Sequence, residues 1–356
     1  MSGTEPTSTH DPVGGAAHHD EPGALDVVAL GSALVDVLTH APDSDLLRLE
    51  LAKGSMALVD LARAADLYGA MGPATEVSGG SAANTAAGVA ALGGRAGYVG
   101  KVAADELGDV FVHDITAAGV LVGRGRPPMP PDPATDSATG RCLVFVTPDG
   151  ERTMATHLGV AATLTPDDLD EELVGRARVL YIEGYLWDLR PAKAAIRRAV
   201  EVAHASDALV ALSLSDPFCV ERHQAEFLGL LHGEVDVVFA NEDEIRLLFG
   251  ATTFADAVSA VEETGVLAAL TRGAAGSVAV SAQGPAEVAA APVDAVVDTT
   301  GAGDLYAAGF LYGLTHGQDP EHCARLGGVC AAEVISHLGA RPQADLRALA
   351  AAAGLA

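Results

Sequence analysis

Positive charge and aromatic rings are what this chain of 356 residues has least of. Lys and Arg number 21 against 48 Asp and Glu, a formal net charge of −27 at neutral pH. A surface that negative repels nucleic-acid backbones and anionic bilayers, so the expectation is no nucleic acid and no membrane among its partners. A small anionic nucleotide is not excluded, because local backbone donors and a metal can hold phosphates inside an acidic protein. Aromatics make up only 4% while apolar residues, chiefly Ala, Val and Leu, reach 49%. That balance suits helices packed on a sheet better than an aromatic-rich β fold. Cysteine is scarce: Cys142, Cys219, Cys323 and Cys330 form no Cys-x-x-Cys pair. Cys323 and Cys330 lie seven apart, on one face of a helix, and read as buried thiols in a reducing compartment, with no zinc site. No apolar run free of charge and glycine reaches membrane-spanning length, and no basic-then-apolar leader opens the chain. A cytoplasmic protein is expected. Familiar nucleotide and hydrolase motifs are missing too. Gly94 to Lys101 hints at a Walker A loop, but five residues instead of four separate Gly94 from Gly100, and Val102 stands where Ser or Thr is required. No Gly-x-Gly-x-x-Gly follows the first strand, and no Ser sits in a Gly-x-Ser-x-Gly elbow.

Residues 1–24 are rich in Gly, Pro, His, Thr and acids and read as a disordered tail; residues 25–350 read as one domain. Leu25 to Leu30 is a short apolar strand running on through Gly31-Ser32 to Asp36. Gly79-Gly80-Ser81 opens a small-residue helix that Gly93-Gly94 stops. The stretch 123–138 carries five prolines and reads as a loop. Residues 141–157 look like a hairpin turning at Pro148-Asp149-Gly150-Glu151. From Val179 onward, strand-like runs alternate with helical patterns at 191–205, 221–232 and 242–249. Such alternation implies βαβ units and a mostly parallel sheet. Strands are expected through 275–297, then helices over 304–316 and 320–337.

One heptapeptide carries the most chemistry: Asp298-Thr299-Thr300-Gly301-Ala302-Gly303-Asp304, followed at once by an apolar helical run. A glycine-rich turn feeding a helix N-terminus leaves backbone N–H groups without intrahelical partners. Those donors, with the positive end of the helix dipole, form an anion site. Asp304 sits inside it, where the aligned N–H groups favour the ionised form. A carboxylate beside a phosphate-sized anion hole can take a proton from a hydroxyl while the hole holds the developing phosphate charge. The combination suggests phosphoryl transfer to an alcohol. A second site is Gly79-Gly80-Ser81-Ala82-Ala83-Asn84, where glycines admit a ligand and Asn84 in the first helical turn points toward the open end. A third is Asn241-Glu242-Asp243-Glu244, at a strand C-terminal end where open α/β sheets bind ligands. On its own this is also an acidic first turn that favours the dipole. Thr271-Arg272-Gly273 with Gly276 follows a buried strand and, alone, is an ordinary hairpin signal.

The heptapeptide resembles the C-terminal signature of the ribokinase-like (PfkB) carbohydrate kinases, and Gly79 through Gly119 is similar to their N-terminal signature. The resemblance runs over nearly 25–345. It implies a three-layer α/β/α sandwich with a mostly parallel central sheet and a small β-strand lid drawn from about 32–60 and 138–157. It implies that Asp304 is the catalytic base and that Gly301, Ala302 and Gly303 form the anion hole. Asp36, Gly79, Gly80, Ser81 and Asn84 would bind the sugar. Asn241, Thr271, Arg272, Gly273 and Gly276 would bind ATP, with Glu244 organising Mg²⁺ through water. Arg152 would lie near the phosphates, and Asp298 and Thr300, with carbonyls around 334–339, resemble a monovalent-cation site that takes K⁺ in some members. Within the family, Arg141–Thr163, Tyr181–Tyr185 and Leu212–Phe218 look most like adenosine kinases and their bacterial relatives, where an aromatic near Tyr185 packs on the purine. Ser32 departs from the Asn that contacts the base in those enzymes. The expectation is transfer of the ATP γ-phosphoryl to the 5′-hydroxyl of a purine nucleoside. A free-sugar kinase (ribose or fructose type) or an inosine/guanosine kinase is the alternative, and a non-catalytic binding member the third reading. A monomer, or a homodimer paired through lid strands, is expected.

Overall fold

A computed structural model describes residues 23–123 and 137–355. The tail over 1–24 and the proline-rich 123–138 therefore fall almost wholly outside the described residues. In chain order the strands are β1 (Leu25–Leu30), β2 (Leu34–His40), β3 (Met56–Leu58), β4 (Thr75–Gly79), β5 (Ala96–Val99), β6 (Leu121–Val122), β7 (Gly140–Val146), β8 (Arg152–His157), β9 (Ala177–Glu183), β10 (Leu209–Ser213), β11 (Val237–Asn241), β12 (Leu267–Thr271), β13 (Ser277–Ser281) and β14 (Gly284–Val288). Nine of them form one sheet in the order β14-β13-β12-β11-β10-β9-β1-β5-β6. It is parallel from β12 to β6, with β13 and β14 added antiparallel at one edge.

The central strands are continuous apolar runs because both faces are covered. Along β1 every residue is buried. Val27 and Ala29 enter one core with the helices Ser81–Ala91, Glu106–Ala117, Ala302–Thr315 and Pro320–Val334. Leu25, Val28 and Leu30 enter the other with Arg190–Ala205, Pro217–Leu231, Glu242–Phe249 and Phe254–Thr264. This is the ribokinase-like three-layer α/β/α fold. All four cysteines are buried and free. Burial pushes each thiol up to about 12, so none is a reactive thiolate.

A second, five-stranded sheet runs in the order β3-β8-β7-β2-β4. Its apolar face is small, built on Leu38, Cys142, Val144 and Val146. Three details differ from the sequence reading. Asp36 does not close the first strand; it lies in β2 of this second sheet, paired with Val77 and Cys142. The chain breaks at Gly31, where a Cβ would stand 2.5 Å from both the Glu183 carboxylate and the Ala82 Cβ. The stretch 275–297 is strand only at Ser277–Ser281 and Gly284–Val288. The helix expected at 221 starts at Pro217, because the Asp216 carboxylate accepts the Cys219 N–H at 2.6 Å and proline suits the first helical position.

Candidate active site

Parallel strands bring their C-terminal ends to one side of the sheet. Leu30 pairs with Ile182, Glu183 with Ser213, and Asn241 with Thr271. Two helix N-termini open onto the same side. The helices Ser81–Ala91 and Ala302–Thr315 touch through small residues: a Cβ at Gly88 would meet the Ala308 Cβ at 2.6 Å. That close approach carries Ser81 and Asn84 to Asp304. Ser81 Oγ donates to Asp304 Oδ1 at 2.7 Å, and Asn84 Nδ2 donates to Oδ2 at 2.9 Å. Asn84 is thus turned onto the carboxylate; its Oδ1 is buried without a partner. Gly301 caps the second helix in the left-handed region, with φ 76°. A Cβ there would meet Ala340 at 2.7 Å, whereas a Cβ on Gly303 would meet nothing within 4 Å. The first turn is held from behind and open in front, as an anion site requires.

The electrostatics correct one expectation. Burial raises the Asp304 carboxyl above the usual carboxylate range, and the bonds from Ser81 and Asn84 offset this only in part. Desolvation outweighs the local donors. Asp36 is pushed up to about 7 by burial, against the pull of the Arg341 guanidinium. It packs on the glycine pair: a Cβ at Gly79 would fall 2.2 Å from its carboxylate. Gly80 takes φ 90°, where a Cβ would stand 2.3 Å from the Ser32 carbonyl oxygen.

Two charged residues of the site were not singled out from the sequence. Arg341 lies beneath the Ser78–Ala83 segment, donating to the Ser78 carbonyl from Nε at 3.1 Å and Nη2 at 2.9 Å, and to the Ala83 carbonyl from Nη1 at 2.8 Å. Its burial lowers it to about 10, while Asp36 and Asp304 hold it up. Glu183 ends β9 and accepts the Ser32 N–H at 2.7 Å and the Ala82 N–H at 3.1 Å, with burial pushing it up to about 7. A lone carboxylate closing a buried parallel strand is a usable signal for Glu183. Nothing local marks Arg341, which follows a helix and is recruited by the fold.

On the other side of the opening, Asn241 and Glu244 form a reciprocal capping box. Asn241 Oδ1 accepts the Glu244 N–H at 2.9 Å, while Glu244 accepts from the Asn241 N–H at 2.9 Å and from Nδ2 at 2.6 Å. Burial pushes Glu244 up to about 7. Thr271 ends β12; Arg272 reaches Glu242 at 3.1 Å and lies over the Phe254 ring at 4.5 Å. Gly273 and Gly276 turn the chain with φ 54° and 88°. Tyr185 follows β9 in a short turn, its hydroxyl donating to the Ser215 carbonyl at 3.3 Å.

Arg152 of β8 crosses to the loop ahead of the anion hole: Nε is 3.1 Å from Asp298 Oδ1, Nη1 donates to Thr300 Oγ1 at 2.6 Å, and Nη2 to Thr299 Oγ1 at 3.1 Å. Asp298 Oδ1 and Thr300 Oγ1 are therefore engaged by a guanidinium.

No three His, Cys, Asp or Glu side chains among the described residues converge as a metal site. The donor set still fits Mg²⁺ in its usual form, held by nucleotide phosphates and water with a carboxylate at one remove. Among the described residues no helix is long and apolar enough to cross a membrane.

Comparison with known proteins gives the family. The model of the pfkB family carbohydrate kinases matches residues 56–346. The fold overlays on a probable sugar kinase of Rhizobium etli with a TM-score of 0.87 at 44% identity, over 94% of this chain and all (100%) of that one. It overlays on the adenosine kinase of Sinorhizobium meliloti with a TM-score of 0.86 at 47% identity, over 93% and 99% of the two chains. The adenosine kinase of Saccharomyces cerevisiae is 31% identical over 339 residues, 88% of this chain and 95% of the yeast protein. This fold and these relatives define an ATP-dependent kinase that phosphorylates an alcohol. The chain belongs to the pfkB family of carbohydrate kinases.

Proposed function

We propose that this kinase phosphorylates the 5′-hydroxyl of a purine nucleoside, adenosine first among them. The observation that carries the chemistry is Asp304 gripped by Ser81 and Asn84 at the open first turn of the helix Ala302–Thr315. Asp304 accepts the proton of the attacking hydroxyl. The amides of the Gly301-Ala302-Gly303 turn hold the charge that develops on the transferring phosphoryl group, so catalysis is mostly positioning and electrostatics. The raised carboxyl suits a base, since one matched to the working pH transfers protons best.

Asp36, Gly79, Gly80, Ser81 and Asn84 form the sugar side. Asp36 accepts from ribose hydroxyls once ionised, and the unpartnered Asn84 Oδ1 is a ready acceptor. Tyr185 provides an aromatic face for a purine. Asn241, Thr271, Arg272, Gly273 and Gly276 form the ATP side. Glu244 orients water on a Mg²⁺ that arrives with the nucleotide and neutralises phosphate charge. The second sheet acts as a lid over the acceptor, and Arg152 ties it to the anion-hole loop. Edge strand β3 leaves Leu58 61% exposed. An uncovered edge of this kind supports a homodimer paired through lid strands, with a monomer as the other outcome of a light-scattering measurement.

The adenosine kinases of Sinorhizobium meliloti and yeast support the nucleoside. Ser32, and the likeness to a probable sugar kinase, support the second reading, a kinase for a free sugar such as ribose or fructose. Inosine and guanosine are further nucleoside candidates. An ADP-release panel with Mg-ATP decides, offering adenosine, inosine, guanosine, cytidine, ribose and fructose in turn. Highest kcat/KM for adenosine is the expected result. Preferential turnover of a free sugar overturns the assignment. No turnover at all, with ligand-induced melting shifts, makes the chain a binding member.

A further inference from the structure

The oxygens that a monovalent cation would use beside the anion hole are occupied by donors of the chain itself. Asp298 Oδ1 accepts the Thr300 N–H at 2.9 Å, the Thr300 hydroxyl at 2.6 Å and the Arg152 Nε at 3.1 Å. Its Oδ2 accepts the Gly339 N–H at 2.9 Å. Three donors thus converge on Oδ1 and one on Oδ2. Two carbonyls of the facing backbone are engaged as well. The Ile335 carbonyl accepts from the Val297 N–H at 2.8 Å and the Asp298 N–H at 3.4 Å, and the Glu333 carbonyl from Ser336 N at 3.1 Å and Ser336 Oγ at 2.6 Å. A cation entering here would have to displace a guanidinium that is already bound at three points. A planar guanidinium fork matches such an acceptor cluster better than a spherical ion, and its charge is permanent.

We infer that Arg152 supplies, from within the chain, the positive charge that a monovalent cation provides at this loop in some relatives, so that phosphoryl transfer here does not depend on K⁺. Because Arg152 stands on β8 of the second sheet and its acceptors lie at the entry to the anion-hole helix, the same contact couples the position of that sheet to the geometry of the hole. The inference rests on the kinase activity but not on which alcohol is the acceptor.

The test uses the full-length protein and whichever acceptor the panel selects. Initial rates are compared in K⁺, Na⁺ and tetramethylammonium chlorides at equal ionic strength, and Tm is recorded with Mg-ATP in the same three salts. The rates are expected to agree within about twofold, below the fivefold low end of ordinary effector coupling. Tm is expected to show no K⁺-specific rise. Saturable activation by K⁺ of about fivefold or more, or a K⁺-specific stabilisation of the ATP complex, overturns the inference. The melting readout needs no acceptor, so a wrong substrate assignment leaves it intact. Arg152→Met removes the charge while keeping an apolar stem. In tetramethylammonium it should be slower than the wild type and recover part of its rate when guanidinium or K⁺ is added, since the freed oxygens of Asp298 and Thr300 then have room for an ion. An Arg152→Met protein as fast as the wild type in tetramethylammonium also overturns it.

Discussion

Replacing Asp304 by Asn separates chemistry from folding because of how the carboxylate is held. Loss of a general base costs about 10²–10⁴ in rate. At about 1.4 kcal/mol per factor of ten, that is about 3–5 kcal/mol of barrier. The structural cost should be small. Ser81 Oγ can still donate to the remaining Oδ1 of the amide. Asn84 now donates to Oδ2 and leaves its own Oδ1 buried and unpartnered; turned over, it would accept from the new amide nitrogen. The hydrogen bond between the two side chains is kept, and Asn84 has one polar end without a partner before and after. The sign of the charge term points the same way. The folded-state carboxyl lies above its ordinary value through burial, so stability held by its protonated form is lost as pH rises through that folded value. Asparagine does not titrate and escapes the loss. Asp304→Asn should therefore melt at or above the wild-type Tm at pH 8, bind ATP with little change by calorimetry, and lose kcat in an ADP-release assay by about 10²–10⁴ with KM nearly constant. The wild-type pH profile of kcat/KM should show an acid limb above the ordinary carboxylate region near 4. A variant with kcat within about tenfold of wild type refutes the base assignment. A collapsed melt would instead assign the loss to unfolding.

Gly80→Ala forces a Cβ into a backbone with φ 90° and to 2.3 Å of the Ser32 carbonyl oxygen. It should cost about 1–3 kcal/mol in strain and lower kcat/KM for the acceptor while leaving KM for ATP unchanged; an unchanged kcat/KM for the acceptor refutes the placement. Arg341→Met removes the guanidinium from the Ser78 and Ala83 carbonyls and takes a counter-charge from Asp36 and Asp304, so the acid limb should move to higher pH, and Arg341→Lys should restore it in part. A limb that stays in place in the Met variant counts against that role. Asp36, Glu183 and Glu244 are pushed up to about 7 by burial, so their contribution is full below their ordinary values and is lost as pH rises toward 7. Urea melts should give greater stability at pH 5 than at pH 8, and a rise across that window refutes the assignment of these groups as buried acids.

Much of this was legible in the chain. The continuous apolar runs at Leu25–Leu30, Val179–Ile182 and Leu209–Leu214, alternating with helical periodicity, are what a parallel sheet covered on both faces requires, and the sheet has that form. Glycines at 79, 80 and 301 marked backbone that another part of the chain approaches closely, where a Cβ has no room. Local chemistry could not say which side chains would meet. Asn84 reads equally as a ligand contact or a helix-turn residue until the Gly88–Ala308 contact brings it to Asp304. Asn241 and Glu244 look like free ligands until their spacing of three closes a capping box. Asp298 has no visible counter-charge until Arg152, 146 positions earlier, arrives from another sheet. The sequence by itself determined the layers, the class of chemistry and the glycine cradle, since propensity, periodicity and backbone freedom are local. Only the tertiary structure decided how the buried charges pair and which carboxyls burial pushes up, because desolvation and Coulomb energy depend on neighbours that the fold brings from distant parts of the chain.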